Sequence, residues 1–118
     1  MNTTLLGRWG EALCAEYLRK KKYKLVAVNY RSRFGEIDLI AETKTHIVFC
    51  EVKLRKSDRY AKAYEYVTAS KQRKIKTTAQ IWLSQHATEK YVRFDVFEVY
   101  APDGVSGNYE INHIEAAF

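Results

Sequence analysis

Three observations predict that this chain is a single α/β domain built on a mixed sheet. Its 118 residues are 47% hydrophobic with one Pro and five Gly, which suits one packed domain and argues against a disordered or linker-rich chain. Two segments carry apolar residues at helical spacing, and the runs around them alternate with the period of two that strands require. The resulting order is α-β-β-β-α-β-β, a three-strand meander set between two helices and followed by further strands, with no internal repeat.

From Leu5 to about Lys22, Leu6, Trp9, Leu13 and Tyr17 recur on one stripe with Cys14 and Leu18 beside it, an amphipathic helix capped by Thr3 or Thr4. Lys24 to Tyr30 alternates as a strand and leads into a turn through Arg31–Gly35. Two more strands follow, Glu36–Ala41 and His46–Leu54, joined across Thr43-Lys44-Thr45. Residues 55–69 show no period and read as a loop. Ser70, as cap, opens a second helix to about His86, with Ile75, Ala79, Trp82 and Leu83 on one stripe and Lys71, Arg73, Lys74 and Lys76 opposite. Val92–Tyr100 alternates, a turn at Pro102-Asp103-Gly104 follows, and a last strand lies near Tyr109–Ile114.

The motif strands carry the chemistry. Gly35-Glu36-Ile37-Asp38 is followed, thirteen residues after the aspartate, by Glu51-Val52-Lys53. Alternation turns Glu51 and Lys53 to one face and Cys50, Val52 and Leu54 to the other, and hairpin pairing lets Asp38 meet Glu51. Two carboxylates beside a lysine suit a hard divalent cation and a phosphodiester: Mg²⁺ keeps several waters and needs only one or two carboxylates plus phosphate oxygens. Solvated cross-strand ion pairs have the same residue pattern, and contribute only a few tenths of a kcal/mol. The apolar setting of Ile37, Leu39, Val48, Cys50 and Val52 favours the site, because charge in a sheet interior is expensive.

Charge is polarised along the chain. Residues 1–93 hold all 20 Lys and Arg and net +11, whereas residues 94–118 net −5. A basic body with an acidic edge suits a polyanion partner, and equally suits plain solubility. No apolar run reaches membrane-spanning length, the N-terminus lacks signal-peptide regions, and Cys14 and Cys50 read as reduced core thiols; together these predict a cytoplasmic protein without a membrane partner. His46, His86 and His113 have no ligand spacing and receive no catalytic role. Trp9 and Trp82 are assigned to packing, and Arg93 with Asp95 to a structural ion pair.

Five motifs together resemble one family: Gly7-Arg8-Trp9-Gly10-Glu11-Ala12, Gly35–Ile40, Phe49–Arg55, Lys71-Gln72-Arg73-Lys74-Ile75 and Arg93-Phe94-Asp95-Val96. They are similar to the YraN-like bacterial proteins, within the PD-(D/E)XK nuclease superfamily, over roughly residues 5–100. The frame is also similar to archaeal Holliday-junction resolvases. The resemblance implies a restriction-endonuclease-like α-β-β-β-α-β core with an extra C-terminal strand, one domain over residues 1–118. It further implies Mg²⁺ or Mn²⁺, and action on branched or structured DNA. Asp38 matches the metal-binding aspartate, Glu51 the second acid, Lys53 the lysine and Glu11 the helix glutamate that completes the metal shell. Glu36 shares the strand face of Asp38 and is either a further ligand or an ion-pair partner of Arg31 or Arg33. Ile37 stands where the superfamily name has proline. The resolvases act as symmetric dimers, which adds a homodimer to the expectations.

Arg31, Arg33 and Arg55, with Lys20, Lys21, Lys22 and Lys24, either line the DNA backbone or are solvated surface charges. Lys71 and Gln72 open the second helix, whose N-terminal amides favour phosphate. Tyr60, Tyr64 and Tyr66 among Lys56, Arg59 and Lys62 either stack on unpaired bases or pack over the sheet. Two alternatives stand beside the nuclease: a nucleic-acid-binding module of the same fold that does not cut, and a protein-interaction scaffold using the strand edge near Tyr109–Ile114.

Overall fold

A computed structural model describes residues 3–56 and 67–118. Tyr60, Tyr64, Tyr66, Arg59 and Lys62, and with them the aromatic-basic expectation, lie outside the described residues. The elements are α1 (Thr3–Lys20), β1 (Lys24–Ser32), β2 (Gly35–Glu42), β3 (His46–Arg55), α2 (Ala69–Gln85), β4 (Tyr91–Tyr100), a 3-10 turn (Gly104–Ser106) and β5 (Glu110–Ile114). The five strands lie in sequence order; every neighbouring pair is antiparallel except β3 and β4, which the α2 crossover makes parallel. The α/β mixed sheet with an added C-terminal strand is therefore observed.

The sheet is covered on both faces. Cys14, Ala15 and Leu18 of α1 pack on Leu39, Ala41, Val48, Cys50, Phe97 and Val99. Ile75, Ala79 and Trp82 of α2 pack on Ile37, Ile40, Ile47, Phe49 and Val96. Phe49 meets the Trp82 ring edge-on at 5.8 Å, a favoured aromatic arrangement. Both cysteines are free and buried, as expected.

Local departures have identifiable causes. α1 is described from Thr3 onward. The helix stops at Lys20 because Lys22 turns left-handed (φ 71°) and the Tyr23 amide closes back on the Leu18 carbonyl at 3.0 Å. β1 runs on to Ser32, so the turn expected over Arg31–Gly35 shrinks to Arg33-Phe34, fastened by the Phe34 amide on Ser32 Oγ at 3.0 Å. The cap of α2 is Thr68, not Ser70: extended Thr68 accepts the Lys71 amide at 3.1 Å, and Ser70 falls inside the first turn.

Arg93 and Asp95 do form a structural pair, as a bidentate contact at 2.8 Å for both bonds. Asp95, fully buried, also accepts from His113 Nε2 at 2.6 Å and the Ala116 amide at 3.0 Å, tying β4 to β5 and the C-terminus. His113 thus has a structural task that its isolated position in the sequence did not disclose.

Candidate active site

The site forms where β2 leaves β3. Their ladder runs from Glu42↔Ile47 to Leu39↔Cys50 and ends there, although both strands continue. Side-chain alternation on β2 slips at the same point: Leu39 and Ala41 pack toward α1, whereas both Ile37 and Ile40 pack toward α2. Asp38 sits in the resulting fork, where the Val52 amide donates to its Oδ2 at 2.8 Å. An opened ladder leaves room for groups from both faces, so a helix-borne carboxylate reaches a strand-borne one.

On one side Glu11 comes in from α1. One carboxylate oxygen each from Glu11, Glu36 and Asp38 lies within 4.8 Å of the other two. Glu11 Oε1 is buried and accepts no hydrogen bond among the described residues, an uncompensated acceptor of the kind a cation would satisfy. Burial pushes the Asp38 carboxyl up to about 8, the Glu51, Glu11 and Glu36 charges add to this, and the Val52 amide opposes it. Glu11 is raised too, by burial first, while Asn29 and Asp38 pull the other way through hydrogen bonds. Three oxygens in reach of one another, short of compensating charge, fit a hard cation. Glu36 lies within reach of the other two carboxylates and is also ion-paired with Arg31, whose Nε is 3.3 Å from its Oε2.

On the other side is Glu51, buried and held by two lysines: Lys71 Nζ at 2.7 Å and Lys53 Nζ at 3.5 Å, both on Oε1. Glu51 therefore lies beside the carboxylate trio and does not join it within the same distance. Burial lowers the Lys53 ammonium below its ordinary range, and the adjacent Lys71 charge adds to this against the pull of Glu51. For Lys71, burial is outweighed by the bond to Glu51, and the ammonium is held above its usual range. A cleft of about 240 Å³ lined by Glu36, Asp38, Glu51, Lys71 and Lys74 opens onto these groups.

The expected DNA contacts separate into two kinds. Arg31 and Arg33 are exposed, Arg33 lying over the Phe34 ring at 4.8 Å. Arg55 is enclosed and ion-paired with Glu98, and the Gln72 side chain donates to the Val67 carbonyl at 3.0 Å, so both are engaged within the fold. Lys71 faces Glu51 and not open solvent alone. Asn29, which sequence reasoning left among the alternating residues of β1, stands level with Asp38 in the β1–β2 register. Its backbone is left-handed (φ 53°) in mid-strand, a conformation Asn tolerates better than other non-glycine residues. An Asn interrupting an apolar alternation was the available signal.

A profile of the uncharacterised protein family UPF0102 matches residues 10–99, which include Glu11, Glu36, Asp38, Glu51 and Lys53. The chain belongs to the UPF0102 family. It is 43% identical over 116 residues to a UPF0102 protein of Syntrophomonas wolfei, covering 96% of each chain. It is 42% identical to one of Caldicellulosiruptor bescii over the whole of both chains. A Vibrio parahaemolyticus member is 43% identical over 80% of each. The YraN-like resemblance drawn from the five motifs is to this family. Among the described residues, no helix is long and apolar enough to cross a membrane.

Proposed function

We propose that this UPF0102 protein is a divalent-cation-dependent endonuclease acting on branched or structured DNA. The observation that carries the reading is the trio Glu11, Glu36 and Asp38 at the strand fork, with the Lys53–Glu51–Lys71 arrangement next to it. The trio would hold Mg²⁺ or Mn²⁺, which when bound supplies Lewis-acid stabilisation of phosphoryl charge and activation of water. Glu51 lies close enough for its charge to raise Asp38, and serves as a further ligand if Lys71 releases it.

The remaining roles belong to the chain's own groups. Lys53, whose burial disfavours the ammonium, orients the attacking water and, as the neutral amine, would take its proton. Lys71 and Lys74, at the rim of the cleft, offset the charge of the phosphodiester entering it. Asp38 keeps its orientation through the Val52 amide while its charge is neutralised.

Labelled four-way junctions, flaps, single strands and linear duplex incubated with protein in Mg²⁺ and in Mn²⁺ test the reading, beside an Asp38→Ala/Glu51→Ala double variant. Cutting that requires metal and is lost in the variant is the expected result. The engagement of Glu51 by two lysines favours one alternative, a DNA-binding module in which that pairing is permanent. Salt-sensitive binding without cutting by either protein would select it.

A further inference from the structure

We propose that the cleft between α1 and β1 seats the phosphodiester strand that flanks the carboxylate trio, with Arg8 and Arg19 as its phosphate contacts. The inference rests on the reading of the site as one that acts on nucleic acid, and names where the substrate's backbone runs. The cleft, about 540 Å³, is lined by Arg8, Ala12, Ala15 and Arg19 of α1 and by Val28 of β1, and it shares Glu11 and Asn29 with the candidate site. A strand lying in it leads to the carboxylates without leaving the protein surface.

Helical geometry makes the groove. Positions 8, 12, 15 and 19 fall on one stripe of α1, because successive residues advance by about 100°. Two long cationic side chains therefore stand at the ends of a floor of two alanines. At 1.5 Å per residue the arginines are about 16 Å apart, a span matching a few nucleotides at about 3.4 Å of rise each. Both are exposed. Arg8 has no ion pair among the described residues, and Arg19 has only Glu16 at 3.8 Å, each more than half exposed. Such a pair contributes little and yields readily to phosphate.

β1 supplies the other wall. It is an edge strand, so among the described residues one row of its backbone amides has no sheet partner. Val28, 49% exposed, gives that wall an apolar surface suited to a sugar or base face and not to a free ion. Cationic ends, an apolar middle and a junction with an acidic cluster together select a nucleic-acid strand over a small anion or an acidic peptide.

Fluorescence anisotropy of labelled single strands, linear duplex and four-way junctions, titrated in EDTA across a salt series, provides the test. Arg8→Gln and Arg19→Gln are compared with Lys44→Gln, a loss of the same charge at the exposed β2–β3 turn. Each arginine variant should bind several-fold more weakly and lower the slope of log affinity against log salt by about 1, with Lys44→Gln close to wild type. A loss confined to unpaired strands assigns the cleft to a single strand, and an equal loss on duplex assigns it to a duplex arm. Arginine variants indistinguishable from Lys44→Gln would overturn the groove. If they also cut in Mg²⁺ with wild-type apparent KM, the nuclease reading stands without it. A wild-type protein that neither binds nor cuts overturns both.

Discussion

Replacing Asp38 by Asn should stabilise the metal-free protein, by an amount that grows with pH. The carboxyl, ordinarily ionised above about pH 4, is raised to about 8 in the fold, by burial first and by Glu51 next. A raised carboxyl binds its proton more tightly when folded, so stability is greatest in acid and declines as pH climbs toward the folded value. Each unit of separation corresponds to about 1.4 kcal/mol. Four units would give about 5 kcal/mol, and solvent screening at the partly open cleft reduces this to roughly 2–4 kcal/mol at pH 9. Asn keeps an acceptor for the Val52 amide while removing the charge. Urea denaturation at pH 5, 7 and 9 in EDTA should show Asp38→Asn above wild type at pH 9 and the two converging toward pH 5. Excess Mg²⁺ or Mn²⁺ should raise wild type, by about 2.7 kcal/mol at a hundredfold excess over Kd, and leave the variant unmoved. A variant less stable than wild type at pH 9 in EDTA, or one stabilised equally by metal, would refute the electrostatic account of the fork.

Lys53→Met should lower cleavage at least about 100-fold while anisotropy shows DNA binding largely kept; parallel loss of both would make Lys53 a binding residue only. Asn29→Gly should fold without loss because glycine adopts φ 53° freely, whereas Asn29→Ala should cost about 1 kcal/mol of unfolding free energy in urea denaturation. Both remove the amide from Glu11 and should weaken Mn²⁺ binding in calorimetry; wild-type affinity in Asn29→Gly would show that the side chain has no part in the site. Burial works against the Asp95 charge, but the bonds from His113, Arg93 and the Ala116 amide outweigh it and hold its carboxyl below the ordinary range. Its contribution is therefore present above about pH 4 and lost as pH falls through the folded value. Asp95→Asn should cost about 3–5 kcal/mol near pH 6, a gap that urea curves at pH 3 should show closing.

Element order and the core were legible because both rest on local periodicity. Ile75, Ala79 and Trp82 at helical spacing could only bury against a sheet, and they do. Asp38, Glu51 and Lys53 stood out because charge interrupts apolar strands. Glu11 is different: twenty-seven residues from Asp38, it carries no spacing signal, and only the family motif pointed to it. The bond between Lys71 and Glu51 depends on how α2 docks over β3, and no period in either segment encodes that docking. Strict alternation also misled at β2. It would place Ile37 with Leu39, yet they pack on opposite faces, because the strand is free to twist once its ladder with β3 ends.

That slip of alternation is what allows one site to draw on both faces of the sheet. With the ladder continued through Asp38, Glu11 of α1 and the lysines that flank Glu51 would be separated by a layer of paired backbone. Opening it removes that layer, and the fold compensates for the lost pairing at β2 with the hydrogen bond from the Val52 amide to Asp38. The consequence is an uneven distribution of charge. Glu51 already has two ammonium partners, whereas burial and neighbouring carboxylates raise the Glu11 and Asp38 carboxyls. Under the proposed function a cation would be drawn to the α1 side of the fork and a phosphate to the lysine side. The boundary between them runs through Asp38, which is where a phosphodiester held by both would present its phosphorus.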